Sequence, residues 1–129
     1  MTNRQTVDAP GAPAAVGPYV HAVKAVGLLF CSGQIPLDPA TGEIAGETPA
    51  EQARRCLQNL QAVCVAAGTS LDAAVKVTVY LTDMAAFADV NDVYATFFPR
   101  EPPARVAIAV SELPRGVQVE IDAVVALVD

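Results

Sequence analysis

The stretch PPARVAIAVSELPRGVQVEIDAVVAL, residues 102–127, decides what kind of sheet this chain builds. Side chains alternate across a strand. Arg105, Ala107, Ala109 and Ser111 therefore share one face of a first strand, at about 105–111, and Val106, Ile108 and Val110 take the other. In a second strand, at about 117–127, Val117, Val119 and Ile121 face one way and Gln118, Glu120 and Asp122 the other. Turn residues Pro114 and Gly116 lie between them. Pairing Val110 with Val117 brings Ile108 opposite Val119 and Val106 opposite Ile121, so the apolar faces coincide and set a register. The spacing thus predicts two antiparallel neighbours, with Arg105 and Glu120 adjacent on the polar face and the alanines leaving a recess beside them.

Outward from this block the pattern stays legible. DAAVKVTVYL alternates, with Val75, Val77, Val79 and Leu81 on one face, which predicts a half-buried strand. DMAAFADVNDVYATFFP carries Phe87, Val90, Tyr94 and Phe97 at helical spacing and ends at Pro99. TPAEQARRCLQNLQAVCVAAG predicts the clearest helix. Thr48 and Glu51 form a capping box, Pro49 occupies the first turn and Gly68 follows the end. Its apolar stripe is Ala53, Leu57, Leu60, Cys64 and Ala67. YVHAVKAVGLLFCSGQIP predicts two short strands, about 19–25 and 28–33, joined at Gly27; LDPATGEIAG is a loop, and residues 1–18 are extended or looped. Strand, strand, helix, strand, helix, strand, strand is an α+β order: one domain, 1–129, with a single mixed sheet and two helices on one face. The other face needs a partner.

The chain has 129 residues, enough for one core. At 53% hydrophobic and 17% charged it is apolar for its size, which points to surface buried between subunits. A net charge of −6, the lack of basic blocks and an aromatic content of 5% argue against nucleic-acid binding. Cys31, Cys56 and Cys64 are an odd number without framework spacing. Cys56 and Cys64 lie about 12 Å apart along a helix, beyond disulfide reach. The start MTNRQTVDAPGAP lacks the apolar run of a signal peptide and no run is long enough to span a membrane, so a reducing, cytosolic setting is expected.

Several polar residues carry two readings. Arg105 and Glu120 form either a plain cross-strand ion pair or a seat for a small carboxylate. A fork-shaped guanidinium suits the second, and a purely structural pair needs no recess. Asn91 sits on an apolar helix stripe, so its amide is hydrogen-bonded or functional. Ser32, beside Gly33, reads as strand-end turn chemistry or as a site residue; Tyr19 as edge packing or as a site residue. His21, the single histidine, reads as a solvated strand residue without metal-ligand partners.

AVGPY (15–19), CSGQIP (31–36), FADVNDVYATFF (87–98) and PARVAIAVSELPRGVQVEI (103–121) together resemble the RidA (YjgF) family over nearly the whole chain. The resemblance implies a chorismate-mutase-like fold, a homotrimer with clefts between subunits, and no metal or organic cofactor. It implies hydrolysis of reactive 2-imino acids, such as 2-iminopropanoate and 2-iminobutanoate, to 2-oxo acids and ammonia. Position by position, Arg105 matches the arginine that grips the substrate carboxylate and Glu120 the glutamate beside the attacking water. Tyr19, Ser32 and Asn91 match residues lining the cleft. Ala107 stands where many members have cysteine; a backbone carbonyl there still serves, while a thiol's role is lost. Two rival functions stand beside that hydrolysis: a non-catalytic metabolite-binding regulator using the same seat, and the ribonuclease or translation-inhibitor activity ascribed to some relatives.

Overall fold

The computed structural model describes residues 3–128. In chain order it contains β1 (Gln5–Val7), β2 (Ala22–Ala25), β3 (Leu28–Gln34), α1 (Pro49–Ala66), β4 (Ala74–Leu81), α2 (Phe87–Phe97), β5 (Ala104–Ala109) and β6 (Val119–Ala126). The strands form one mixed sheet in the order β1-β2-β3-β6-β4-β5. Only β4 and β5 are parallel; the other pairs are antiparallel. Parallel neighbours require a long crossover, and α2 supplies it.

Both helices cover one face. Leu57, Leu60 and Cys64 of α1 and Val90 and Tyr94 of α2 join Leu29, Val77, Val79, Leu81, Val119, Ile121 and Val125 of the sheet in one core. Fully burying a leucine such as Leu57 or Leu60 contributes about 1.5–3 kcal/mol over leaving it exposed. Helix α1 begins as its sequence predicts: the Glu51 amide donates to Thr48 Oγ1 at 3.2 Å, and the Thr48 amide donates to Glu51 Oε1 at 3.1 Å. Gly68 follows its end at φ +83°, a conformation costly for any residue with a Cβ. Val75 departs from expectation: it is exposed beside an irregularity between Ala74 and Lys76, whereas Val77, Val79 and Leu81 are buried. In α2 it is Phe98, just past the helix, rather than Phe97 that is fully buried. Strand β1 lies within the segment expected to be extended or looped. No helix among the described residues is long and apolar enough to cross a membrane.

The predicted pairing of β5 with β6 is not formed. β4 lies between them, parallel to β5 and antiparallel to β6, with Val79 opposite both Ala107 and Ile121. Residues 110–118 step across the end of β4 instead of making a hairpin, and within them Arg115 takes φ 59°. Alternation specifies which face a residue occupies, but not which strand lies beside it, and β4 matches the apolar face of β6 as well as β5 would. The consequence reaches the polar residues. Arg105 is opposite Val77, on the helix side of the sheet, while Glu120 is opposite Tyr80, on the open side. Val106 and Ile108, expected in the core, are each 40% exposed on that open side of the edge strand.

Candidate active site

Arg105 stands near the start of β5, exposed, with α2 packed against its side of the sheet. Its Nη1 donates to Asn91 Oδ1 at 2.7 Å. Its guanidinium carbon lies 4.8 Å from the ring centre of Tyr94 and 5.3 Å from that of Phe87. Among the described residues the only acid–base contact at ion-pair distance joins Asp8 to His21, so Arg105 has no carboxylate partner there. The ion-pair reading of Arg105 and Glu120 therefore fails within one chain. Two strand spacings and three residues of rise separate their Cα atoms by roughly 14 Å, on opposite faces. A cavity of about 400 Å³, lined by Arg105, Asn91, Tyr94, Phe98, Pro102 and Pro103, opens beside the guanidinium. Asn91 is hydrogen-bonded, one of the two readings its place on an apolar stripe left open. Ala107, opposite Val79, packs against the core.

Glu120 belongs to a second cluster. The β3–β6 register shifts between Cys31 and Gln34, opposite Ile121 and Ala123, so Ser32 and Gly33 lie in the irregular segment. The Glu120 carboxyl lies directly against Gly33, where a Cβ in place of the glycine hydrogen would collide with Oε2 and come within 3.0 Å of Cδ. A side chain at Gly33 would displace the Glu120 carboxyl from this position, a role its place in CSGQIP did not reveal. Burial, and then the charge of Asp122, raise the Glu120 carboxyl above the ordinary carboxylate range. Asp122 in turn accepts a hydrogen bond of 3.0 Å from the Tyr80 hydroxyl, and burial followed by that contact raises the Tyr80 phenol. The Ser32 hydroxyl donates to the Val20 carbonyl at 2.6 Å and its amide to the His21 carbonyl at 3.0 Å, tying the 19–21 segment to β3. Tyr19, half-exposed, shares a cavity of about 410 Å³ with Gly33, Ile35, Pro114 and Arg115. Asn59 of α1 holds the floor of this region, donating to the carbonyls of Ile35 (3.3 Å) and Leu37 (3.0 Å).

His21 corrects an expectation. It is buried rather than solvated, 3% exposed. Nε2 lies 2.7 Å from the Pro13 carbonyl, which only accepts, so Nε2 donates; Nδ1 then accepts the Ala9 amide at 2.9 Å. The neutral ring satisfies both partners and pins the N-terminal segment over β3. Nothing in the residue pattern marks this role, since both partners are backbone groups.

The predicted residues thus form two groups, Arg105 with Asn91 and Ala107 on the helix side, and Tyr19, Ser32 and Glu120 around Gly33. The chain as a whole is similar to known proteins. A family model described as Endoribonuclease L-PSP matches residues 9–127. A RutC family protein of Sinorhizobium fredii is 55% identical, over 95% of this chain and 94% of the relative. A 2-iminobutanoate/2-iminopropanoate deaminase of Mus musculus is 42% identical, over 94% and 90% of the two chains. The solved structure of Escherichia coli TdcF with bound serine superposes with a TM-score of 0.90 at 39% identity, covering 96% of this chain and 99% of that one.

Proposed function

The chain belongs to the RidA family, and from that premise we propose that it hydrolyses small 2-imino acids to 2-oxo acids and ammonia in a site assembled from two subunits of a homotrimer. The observation that carries this reading is the Arg105 guanidinium: exposed, held by Asn91 and two aromatic rings, and without a carboxylate partner among the described residues. A cation so placed accepts a small carboxylate through two parallel hydrogen bonds, which also fixes the substrate plane. That the TdcF relative holds serine, a small amino acid with a carboxylate, supports the same ligand class.

Glu120 supplies the base. Its raised value brings a carboxylate toward the range in which it accepts a proton from water and later returns it. Water adds to C2 of the protonated imine as Glu120 takes its proton. Glu120 passes that proton to the nitrogen of the resulting carbinolamine; the C2–N bond breaks as the hydroxyl oxygen forms the C=O bond, the nitrogen leaves with its electron pair as ammonia, and the hydroxyl proton goes to Glu120 and on to the departing ammonia as ammonium. The products are the 2-oxo acid and ammonia, without redox change. The protonated imine carbon is already electrophilic, so no nucleophilic triad is called for.

Since Arg105 and Glu120 lie on opposite faces of one sheet, each site draws Arg105, Asn91 and Ala107 from one subunit and Tyr19, Ser32, Gly33 and Glu120 from the next. The exposed edge of β5, with Val106 and Ile108, is the apolar surface such an assembly covers. The test couples the purified protein to an amino-acid oxidase or dehydratase that releases imines. Faster appearance of the 2-oxo acid supports hydrolysis; binding of 2-oxo acids without acceleration makes the chain a metabolite-binding regulator. The endoribonuclease description of the family model has little support in this chain. The single histidine has both ring nitrogens committed to backbone groups, and RNA cleavage lost in Arg105→Ala or Glu120→Gln is the result that would restore that activity.

A further inference from the structure

Phe87, Asn91, Tyr94 and Phe98 recur at intervals of four, three and four residues, which puts them in one line along α2 and its end. Three of them meet Arg105: the Phe87 ring at 5.3 Å, the Asn91 amide oxygen at 2.7 Å and the Tyr94 ring at 4.8 Å. The fourth, Phe98, is buried and lies against Tyr94, ring centres 4.8 Å apart and planes tilted by 42°. The Tyr94 hydroxyl is buried and has no hydrogen-bond partner among the described residues. A buried hydroxyl without a partner is unfavourable, so the ring, rather than its oxygen, is what this position contributes.

We propose that Tyr94, backed by Phe98, is a positioning residue for Arg105, whose guanidinium it holds through the face of its ring with the free edge of the fork turned toward the substrate carboxylate. This rests on Arg105 being the carboxylate seat. Arginine brings a long stem with many rotamers, and an exposed one spends most of its time elsewhere. An aromatic face attracts the cation without competing for its N–H groups. Asn91 occupies Nη1 alone, leaving the remaining donors for a ligand. The grip acts on a carboxylate that substrate and transition state share, so its loss falls mainly on KM.

The experiment compares wild type, Tyr94→Phe and Tyr94→Leu in imine hydrolysis, in thermal melts, and in binding of 2-oxobutanoate, a stable carboxylate, by calorimetry. The expected result is a KM and a 2-oxobutanoate Kd at least fivefold higher in Tyr94→Leu, with kcat within threefold of wild type. Tyr94→Phe restores wild-type KM and Kd and melts no lower than wild type. An unchanged KM and Kd in the leucine variant, or an equal loss in the phenylalanine variant, overturns the proposal. Should Tyr94→Leu not fold, 15N relaxation of the Arg105 Nε–H group in the wild type decides: a group more ordered than that of exposed Arg54 supports the ring clamp, and equal mobility refutes it. Wild type that neither hydrolyses imines nor binds the oxo acid refutes the proposed function, while the relaxation measurement still tests the clamp.

Discussion

At the scale of single residues, the proposed chemistry rests on Arg105, which has no carboxylate partner among the described residues, and on Glu120, whose carboxyl lies against Gly33. Lysine keeps the charge of Arg105 but not the planar fork. Arg105→Lys is expected to preserve the melting temperature, since no ion pair among the described residues is lost, and to lose about 2 kcal/mol of transition-state stabilisation, roughly thirtyfold in kcat/KM. Melts and imine kinetics on the same preparations check this, and full activity in the lysine variant would remove the proposed anchor. Glu120 behaves in the opposite way toward stability. Its folded value lies above the ordinary one, so the folded protein holds this proton more tightly than the unfolded chain does. The associated stability is complete below the ordinary carboxylate value and is lost as pH rises through the raised one. Glu120→Gln is therefore expected to melt at or above wild type at neutral pH, with the difference closing on acidification, while hydrolysis collapses. In the wild type, kcat/KM should fall on acidification as Glu120 takes up its proton. A glutamine variant that melts well below wild type at neutral pH contradicts this account of the carboxyl's surroundings.

At the scale of elements, the helices obey local rules and one turn resists them. The β2–β3 hairpin turns through Val26 at φ 48° and Gly27 at φ 77°, the two-residue geometry in which both positions are left-handed. Gly27 suits it, whereas Val26 is β-branched, 86% exposed and gains little contact in return. Val26→Asn is expected to stabilise the protein by about 1 kcal/mol, the scale of the left-handed penalty for a residue with a branched Cβ, read as a higher midpoint in urea with an unchanged slope. The strand that follows carries a demand of opposite kind at Gly33, whose backbone lies against the Glu120 carboxyl. There the missing side chain leaves room for the carboxyl where it lies, and the irregular register around it makes a strand end one wall of the proposed site.

At the scale of the molecule, two half-sites on opposite faces of one sheet make a prediction that a self-contained site does not. In a homotrimer with sites between subunits, Arg105→Ala and Glu120→Gln are each inactive alone. Unfolded together in equal amounts and refolded, they should regain about a quarter of wild-type activity, because random assembly joins an intact Arg105 to an intact Glu120 at about one interface in four. Light scattering on the same samples should give the mass of three chains. No recovery in correctly assembled mixtures would place both residues in one subunit's site and refute the composite arrangement.

The sequence by itself determined most of the local structure. The Thr48–Glu51 box, the stripes of α1 and α2 and the alternation in β4 and β6 depend on neighbours a few positions away, and periodicity records those directly. It also marked Arg105, Asn91 and Glu120, since an unmatched polar group at an apolar or small-residue position is visible without coordinates. Tertiary structure alone decided what lies beside what. Several pairings match the apolar faces equally well, so the placement of β4 between β5 and β6 is decided only in three dimensions, where α2 is the crossover that lays β5 parallel to β4. His21 shows the same limit: its two partners, Ala9 and Pro13, are backbone atoms, and backbone atoms leave no mark in the identity of a residue.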